Sequence, residues 1–429
     1  MTAISVMLFH RDLRLIDHRG LEAAAKTGHP VLPLFIFTPK QVTSNPYKSN
    51  AAIQFMLESL EDLDAELHTH YKSKLTVAYG DTVDVLAAIG RKIPIAALVE
   101  TADYTPFAKQ RTAELVAFTE REHIEYIQVH DTYLLEPGSI KNKSGKTFQK
   151  FTPFYETART KHIDAPTHTY IKCMMYKFTS KSKGTRKAAF VGETNLEQIS
   201  RRLLATRNPD LATHGGRTVA LELLKHLPTS YGKTHDIPSV PTSMLSAHNH
   251  FGTVSIREVY AAADGMTEFR RQLWWRDFYG HIMNDFETLY KTSPYEFQSK
   301  WTDSAAADEA FEAWTRAKTG VPLVDAGMTQ LLKTGYIHNR VRLAVSSWLV
   351  KEKHVHWRRG ERFFAQHLVD YDPAQNMMNW IWVASVLPFA SAPFRKVDPV
   401  STAKKFDPDN VYINTWLHDV GDDDDVDDD

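Results

Sequence analysis

The sequence predicts an α/β protein in two parts: an N-terminal Rossmann-like parallel-sheet domain, then a C-terminal all-helical domain. Three observations lead there. Residues 1–130 alternate short apolar runs with amphipathic helical stretches, the pattern of a parallel sheet wrapped by helices. Beyond about residue 200 the strand pattern disappears and helical periodicity takes over. Eight of the nine tryptophans fall between Trp274 and Trp382, so the helical part has an aromatic interior.

Taken in order, the predicted strands are residues 4–9, 31–37, 75–79, 96–99 and 126–129. The clearest helix between them is 51–67, with Ile53, Met56, Leu57, Leu60, Leu63 and Leu67 on one face. No GxGxxG and no GxxxxGK[ST] follows any strand, which disfavours a dinucleotide pyrophosphate grip or a P-loop in this domain. Residues 10–18, HRDLRLIDH, read as a solvated turn and helix cap. Residues 131–200 lack periodicity and carry turn chemistry at Pro137–Gly138 and Ser144–Gly145, so they are expected to be an interdomain linker. Within it, 172–187 is basic without an acidic residue and reads as a solvated loop. The helical domain spans 201–418, and 419–429 is an acidic, solvating tail.

The seven aspartates between Asp422 and Asp429 lower the net charge from +6 to −1. The single Cys173 excludes a disulfide framework within the chain and a cysteine-rich metal site. The first apolar run is too short for a signal peptide or a membrane span, so a soluble, intracellular protein with no membrane partner is expected. GxSxG, HExxH, CxxC and the EF-hand loop are all absent. His248 and His250 stand two apart without a third ligand in sequence, and no metal is expected.

Four stretches carry polar chemistry among apolar residues. In 242–252, Thr242, Ser243 and Ser246 are hydroxyls near a helix start, either simple caps or groups that hold phosphate. In 271–281, Gln272, Trp275, Arg276 and Tyr279 share one helix face, which suits a cleft wall as well as a core. In 335–345, Asn339 and Leu343 share a face and Arg340 and Arg342 lie off it. One arginine can meet phosphate while the other pairs with a carboxylate such as Asp370; alternatively both are surface charges. In 356–382, Asp372 followed by Pro373 marks a helix start. Asn376, Trp380 and Val383 then share a face, with Trp382 aimed at a different space. Aromatic stripes are usually core, yet Asp370, Asp372 and Asn376 need partners if buried, and a planar polar cofactor supplies them.

The blocks FHRDLRLIDH, GKTFQKFTPF, TSMLS, RQLWWRDFY, KTGVPLVDAGMTQL, GYIHNRVRL, HWRRGERFF, LVDYDPAQNMMNWIWVAS and FDPDNVYINTWL resemble, in this order, the photolyase/cryptochrome family. The resemblance runs to about residue 418. Among its members the motifs resemble most those of the cyclobutane pyrimidine dimer photolyases. It implies FAD in the helical domain, below a cavity that receives a flipped-out lesion of UV-damaged DNA. It further implies a monomer, and an antenna chromophore (folate, deazaflavin or second flavin) on the N-terminal domain. The implied FAD contacts are Tyr231, Thr242, Ser243, Leu245, Ser246, Gln272, Arg276, Asn339, Arg342, Asp370, Asp372 and Asn376, with Arg342 and Asp370 forming a salt bridge and Asn376 at flavin N5. The implied lesion contacts are Trp275, Gln272, Asn339, Arg340, Leu343 and Trp382, with Arg340 and Arg395 on phosphates. The implied chemistry is electron donation from excited reduced flavin to the dimer, ring splitting and electron return. Trp380 and Trp357 match the inner and middle tryptophans of the photoreduction chain.

Four departures bear on this. Gln272 stands where cyclobutane-dimer enzymes carry Glu. The two histidines of (6-4) photolyases are replaced by Asn339 and Leu343, and Leu343 also departs from the usual Met. Met244 replaces a common Arg. No tryptophan in 302–311 matches the outer member of the electron chain. Cyclobutane dimer repair is the expectation; a cryptochrome-like photoreceptor and a (6-4) photolyase are the alternatives.

Overall fold

The computed structural model describes residues 2–177, 190–286, 301–386 and 395–418. The acidic tail, and residues 178–187 of the basic stretch, lie outside the described residues. The sheet has six strands: β1 (Ile4–Phe9), β2 (Val31–Phe37), β3 (Thr76–Tyr79), β4 (Ile95–Thr101), β5 (Glu125–Val129) and β6 (Glu193–Thr194). Their order is β5-β4-β1-β2-β3-β6. The first five are parallel, with Val6 beside Leu32 on one side and Leu98 on the other; β6 runs antiparallel to β3. Every residue of β1 and β2 is buried, because helices cover both faces of the central strands.

The expected long helix is Asn50–Tyr71. Ser49 caps it by accepting from the Ala52 N–H, and Lys72 ends it in a left-handed conformation (φ 51°). Ile53, Leu57, Leu60, Leu63 and Leu67 are buried, each stabilising the fold by about 1.5–3 kcal/mol relative to exposure. The helix also packs against helices Arg217–Lys225 and Trp357–His367, so it joins the sheet domain to the helical one.

The stretch 131–200 holds more structure than its sequence suggested. Helix Phe151–Ala158 packs on helix Thr267–Asp285, β6 closes one sheet edge, and helix Leu196–Leu203 lies on Asn50–Tyr71. The two helices have eight residues each, two turns, which is too short for a periodicity to stand out.

The reading of 10–18 as a solvated turn is corrected. Asp12, Arg14, Asp17 and His18 are all buried. Arg14 donates to the Gly252 carbonyl (3.2 Å) and pairs with Asp131. Arg257 pairs with Asp17 (2.9 Å) and Asp131 (2.7 Å). Alternating charge looked solvent-facing because most of its countercharges come from remote residues, such as Glu100, Asp131 and Arg257.

In the helical part, Trp274, Trp314, Trp357 and Trp380 are almost wholly buried in one core. Helices Trp357–His367 and Pro373–Ala384 pack closely through Gly360, where a Cβ would overlap the Trp380 indole and sit 2.8 Å from Leu349 Cδ2. Among the described residues no helix is long and apolar enough to cross a membrane.

Candidate functional site

A cavity of about 540 Å³ lies within the helical domain. Four segments far apart in sequence wall it, and each is positioned by its own local chemistry.

Helix Thr267–Asp285 supplies Gln272, Trp275, Arg276 and Tyr279. Its opposite face is held by Asp277, whose carboxylate accepts from the Leu134 and Leu135 N–H groups (3.3 and 2.9 Å). Burial raises Asp277 to about 7 despite those bonds. Trp275 stacks on Phe151 at 3.7 Å and 8°, so its ring plane is set by the helix the sequence left unassigned. Arg276 is buried and donates to the carbonyls of Thr132 (2.8 Å) and Asn249 (3.0 Å).

The 242–252 segment supplies Thr242, Ser243, Leu245 and Ser246. The short helix Ser246–Phe251 has Leu245 at its N-cap, without a side-chain cap. Ser243 Oγ accepts from the Leu245 N–H at 3.5 Å, just ahead of the helix. Thr242 approaches the Tyr336 hydroxyl at 3.4 Å, and Tyr231 also lines the wall.

Helix Asn339–Ser347, capped by His338, supplies Asn339, Arg340, Arg342 and Leu343. Arg342 donates to Ile337 O (2.7 Å) and to both oxygens of Asp370 (3.1 and 2.9 Å). The internal pairing of Arg342 and Asp370 is thus present. Arg340 pairs with Asp236, which the sequence had not singled out.

Helix Pro373–Ala384 supplies Asn376, Trp380 and Trp382. Asp372 Oδ1 accepts from the Ala374 and Gln375 N–H groups (2.9 and 3.2 Å), while Oδ2 meets Arg11 and His250 (3.2 Å). Burial pushes Asp372 upward, but Arg11 and His250 hold it well below the usual carboxylate range. Asn376 gives its Nδ2 to Glu361, at Oε1 (3.1 Å) and at the carbonyl (3.2 Å), so Oδ1 is its remaining acceptor. Burial raises Glu361 to about 7, tempered by Asn376, Arg358 and Tyr371.

Of the nineteen residues that the resemblance implies for the site, seventeen line this cavity together; Trp357 and Arg395 do not. Trp382 needs a correction. It lines the same cavity as Asn376 and Trp380, because the wall wraps around the helix. Arg395 lies over the Trp382 ring at 5.5 Å. Trp357 is buried behind the wall; its ring neighbours His356 at 6.2 Å, and His356 neighbours Trp301 at 5.1 Å. Trp380 packs against Phe364 (5.1 Å) and Trp314 (6.3 Å).

Periodicity did not mark Asp236, Asn249, His250, Tyr336, His338 or Gln375, all of which line the wall. Their signal is tertiary: Asp236, Tyr336 and His338 lie between helices, and Asn249, His250 and Gln375 lie in helices whose site-facing side only the packing sets. Asn249 Oδ1 and Arg340 Nε are buried polar atoms without a protein partner among the described residues. A cavity of this size, lined by hydroxyls, amides, an arginine–carboxylate pair and aromatic rings, fits a large polar aromatic cofactor.

The fold and cavity define a two-domain protein with a parallel-sheet domain set against an aromatic-walled helical one. Residues 5–171 match the family DNA photolyase, and residues 269–425 match the FAD binding domain of DNA photolyase. The deoxyribodipyrimidine photo-lyase of Halobacterium salinarum is 30% identical, over 96% of this chain and 88% of the relative. That of Streptomyces griseus is 31% identical, over 97% and 89%. An archaeal photolyase structure from Sulfolobus tokodaii with two FAD molecules has a TM-score of 0.83 at 32% identity, covering 98% and 91% of the two chains. A bacterial class III photolyase from Agrobacterium tumefaciens has a TM-score of 0.87 at 30% identity, covering 98% and 88%. The chain belongs to the DNA photolyase family.

Proposed function

We propose that this chain is a light-driven deoxyribodipyrimidine photo-lyase that binds FAD in the helical-domain cavity and repairs cyclobutane pyrimidine dimers in UV-damaged DNA. The observation that carries the reading is one cavity walled by two indoles, Trp275 and Trp382, together with the Asn376 amide. Two flat apolar walls suit a base pair taken out of the stack.

The chain's own residues divide the work. The hydroxyls of Thr242, Ser243 and Ser246, gathered on the cavity wall at a helix start, suit a pyrophosphate. The Arg342–Asp370 pair braces the cavity wall. Asn376, with its amide protons held by Glu361, presents Oδ1 as an acceptor for a flavin N–H. Gln272, Asn339 and Leu343 face the dimer, and Arg340 and Arg395 its phosphates. When bound, reduced FAD supplies the photoexcited electron that opens the cyclobutane ring and recovers it afterwards. An antenna chromophore would sit on the N-terminal domain, and an absorption spectrum of the purified protein identifies it.

The (6-4) reading requires a histidine acid at the dimer. Asn339 and Leu343 provide none. His338 lines the cavity, but burial pulls it down to about 4, so it is neutral near pH 7. The test is repair of defined lesions by the reduced protein under blue light, followed by chromatography. Cyclobutane repair without (6-4) repair is expected, and Gln272→Glu should repair at or above the wild-type rate. Absence of cyclobutane repair would sink the proposal.

A further inference from the structure

Arg340 stands at the rim of the cavity and its partner is already in place. Its guanidinium bonds the Asp236 carboxylate and lies over the Phe406 ring at 4.7 Å, while Nε has no partner among the described residues. Asp236 is also 3.6 Å from His235 Nε2, and all three polar side chains line the cavity. A carboxylate and a phosphodiester offer a guanidinium the same thing, paired anionic oxygens in a plane that matches its fork. A phosphate that takes Arg340 must therefore displace Asp236 or bear the repulsion of its charge.

Exposure decides whether that exchange is feasible. The Arg340 and Asp236 side chains are 27% and 31% exposed, whereas the clamp pair Arg14–Asp131 is 2% and 0% exposed. A pair open to water contributes little net stability and can be traded for another anion; a buried pair cannot be opened without stranding a charge. Resting on the reading of this cavity as a lesion-DNA site, we propose that Asp236 is an internal competitor for the lesion-strand phosphate. It holds Arg340 at the rim and sets DNA affinity by exchange.

The neutral Arg340–Asp236 pair contributes almost nothing to counterion release, while an unpaired Arg340 contributes about one phosphate neutralised. The experiment is fluorescence polarisation in the dark, with the FAD-loaded protein and labelled duplexes carrying or lacking one thymine cyclobutane dimer, across a salt series. Asp236→Asn should bind the lesion duplex about three- to tenfold more tightly, with its log K against log salt slope steeper by about 0.9. Arg340→Ala should weaken binding, and adding Asp236→Asn to it should change nothing further. Asp236→Ser and the flavin content of each variant guard against misfolding. Unchanged or weaker binding by both Asp236 variants overturns the proposal. So does an equal gain in the Arg340→Ala background, which would mark a general charge effect. Failure of the unaltered protein to prefer the lesion duplex overturns the lesion-site reading itself, and the exchange with it.

Discussion

Glu361 shows how one buried group ties stability to the site. It is 3% exposed and joined to Asn376. Burial lifts its carboxyl from an ordinary value of 4.5 to about 7. At this group the folded state binds more protons than the unfolded chain between pH 4.5 and 7, so its contribution to stability is lost as pH rises through that window, while the buried His130, His281 and His338, pulled down to about 4, act in the opposite sense. The loss attributable to this group is about 3 kcal/mol. Glu361→Gln should remove that loss, so that stability at pH 8 relative to pH 5 is higher than in the unaltered protein by about that amount, measured by urea unfolding of the FAD-loaded protein at intervals from pH 5 to 8. Some slope persists, because Asp277 is raised to about 7 for the same reason. An unaltered profile would show that Glu361 does not hold a proton in the folded state. The sequence offered no sign of this role. Glu361 sits in a charged run, WRRGER, and packing against remote residues such as Asn376 buries it.

At the scale of elements, helix Pro373–Ala384 is the part most readable beforehand. An acidic N-cap and a first-turn proline announce its start, and the structure satisfies two backbone N–H groups with Asp372 Oδ1. What the cap does with its second oxygen, bonding Arg11 and His250, was not readable. The tryptophans follow the same division. Trp357, His356 and Trp301 form a line of rings with centroid steps of 6.2 and 5.1 Å, leading from the core to a half-buried ring. Electron tunnelling weakens steeply with distance, and on these steps we propose Trp301 as the outer member of the electron chain, which has no counterpart in sequence. Trp301→Phe should slow flavin photoreduction under blue light several-fold, and Trp380→Phe should slow it more, both followed by absorbance. Unchanged kinetics in Trp301→Phe would remove it from the path.

At the scale of the whole molecule, the domains are joined by buried charge. Arg14 and Arg257 with Asp17 and Asp131 form a network in which no residue is more than 5% exposed. Such a network adds little over an apolar contact, but removing one member strands the others. Arg257→Ala should destabilise the protein by about 3–5 kcal/mol, read from urea unfolding. A loss under about 1 kcal/mol would mean that the partners relax to water. Arg11 extends the connection into the site through Asp372, so docking of the sheet domain positions the start of the Asn376 helix.

Sequence alone determined the strand runs, the long helix, the Asp372–Pro373 helix start and the segments that carry site chemistry. These depend on neighbours a few positions apart, through side-chain periodicity and capping. Only the tertiary structure decided that Trp382 shares the cavity of Asn376, that Phe151 sets the plane of Trp275, and that the charged Asp12, Arg14, Asp17 and His18 are buried. It also paired Arg340 with Asp236. Each of these contacts joins residues held together by packing and electrostatics across the fold, where periodicity carries no information about the partner.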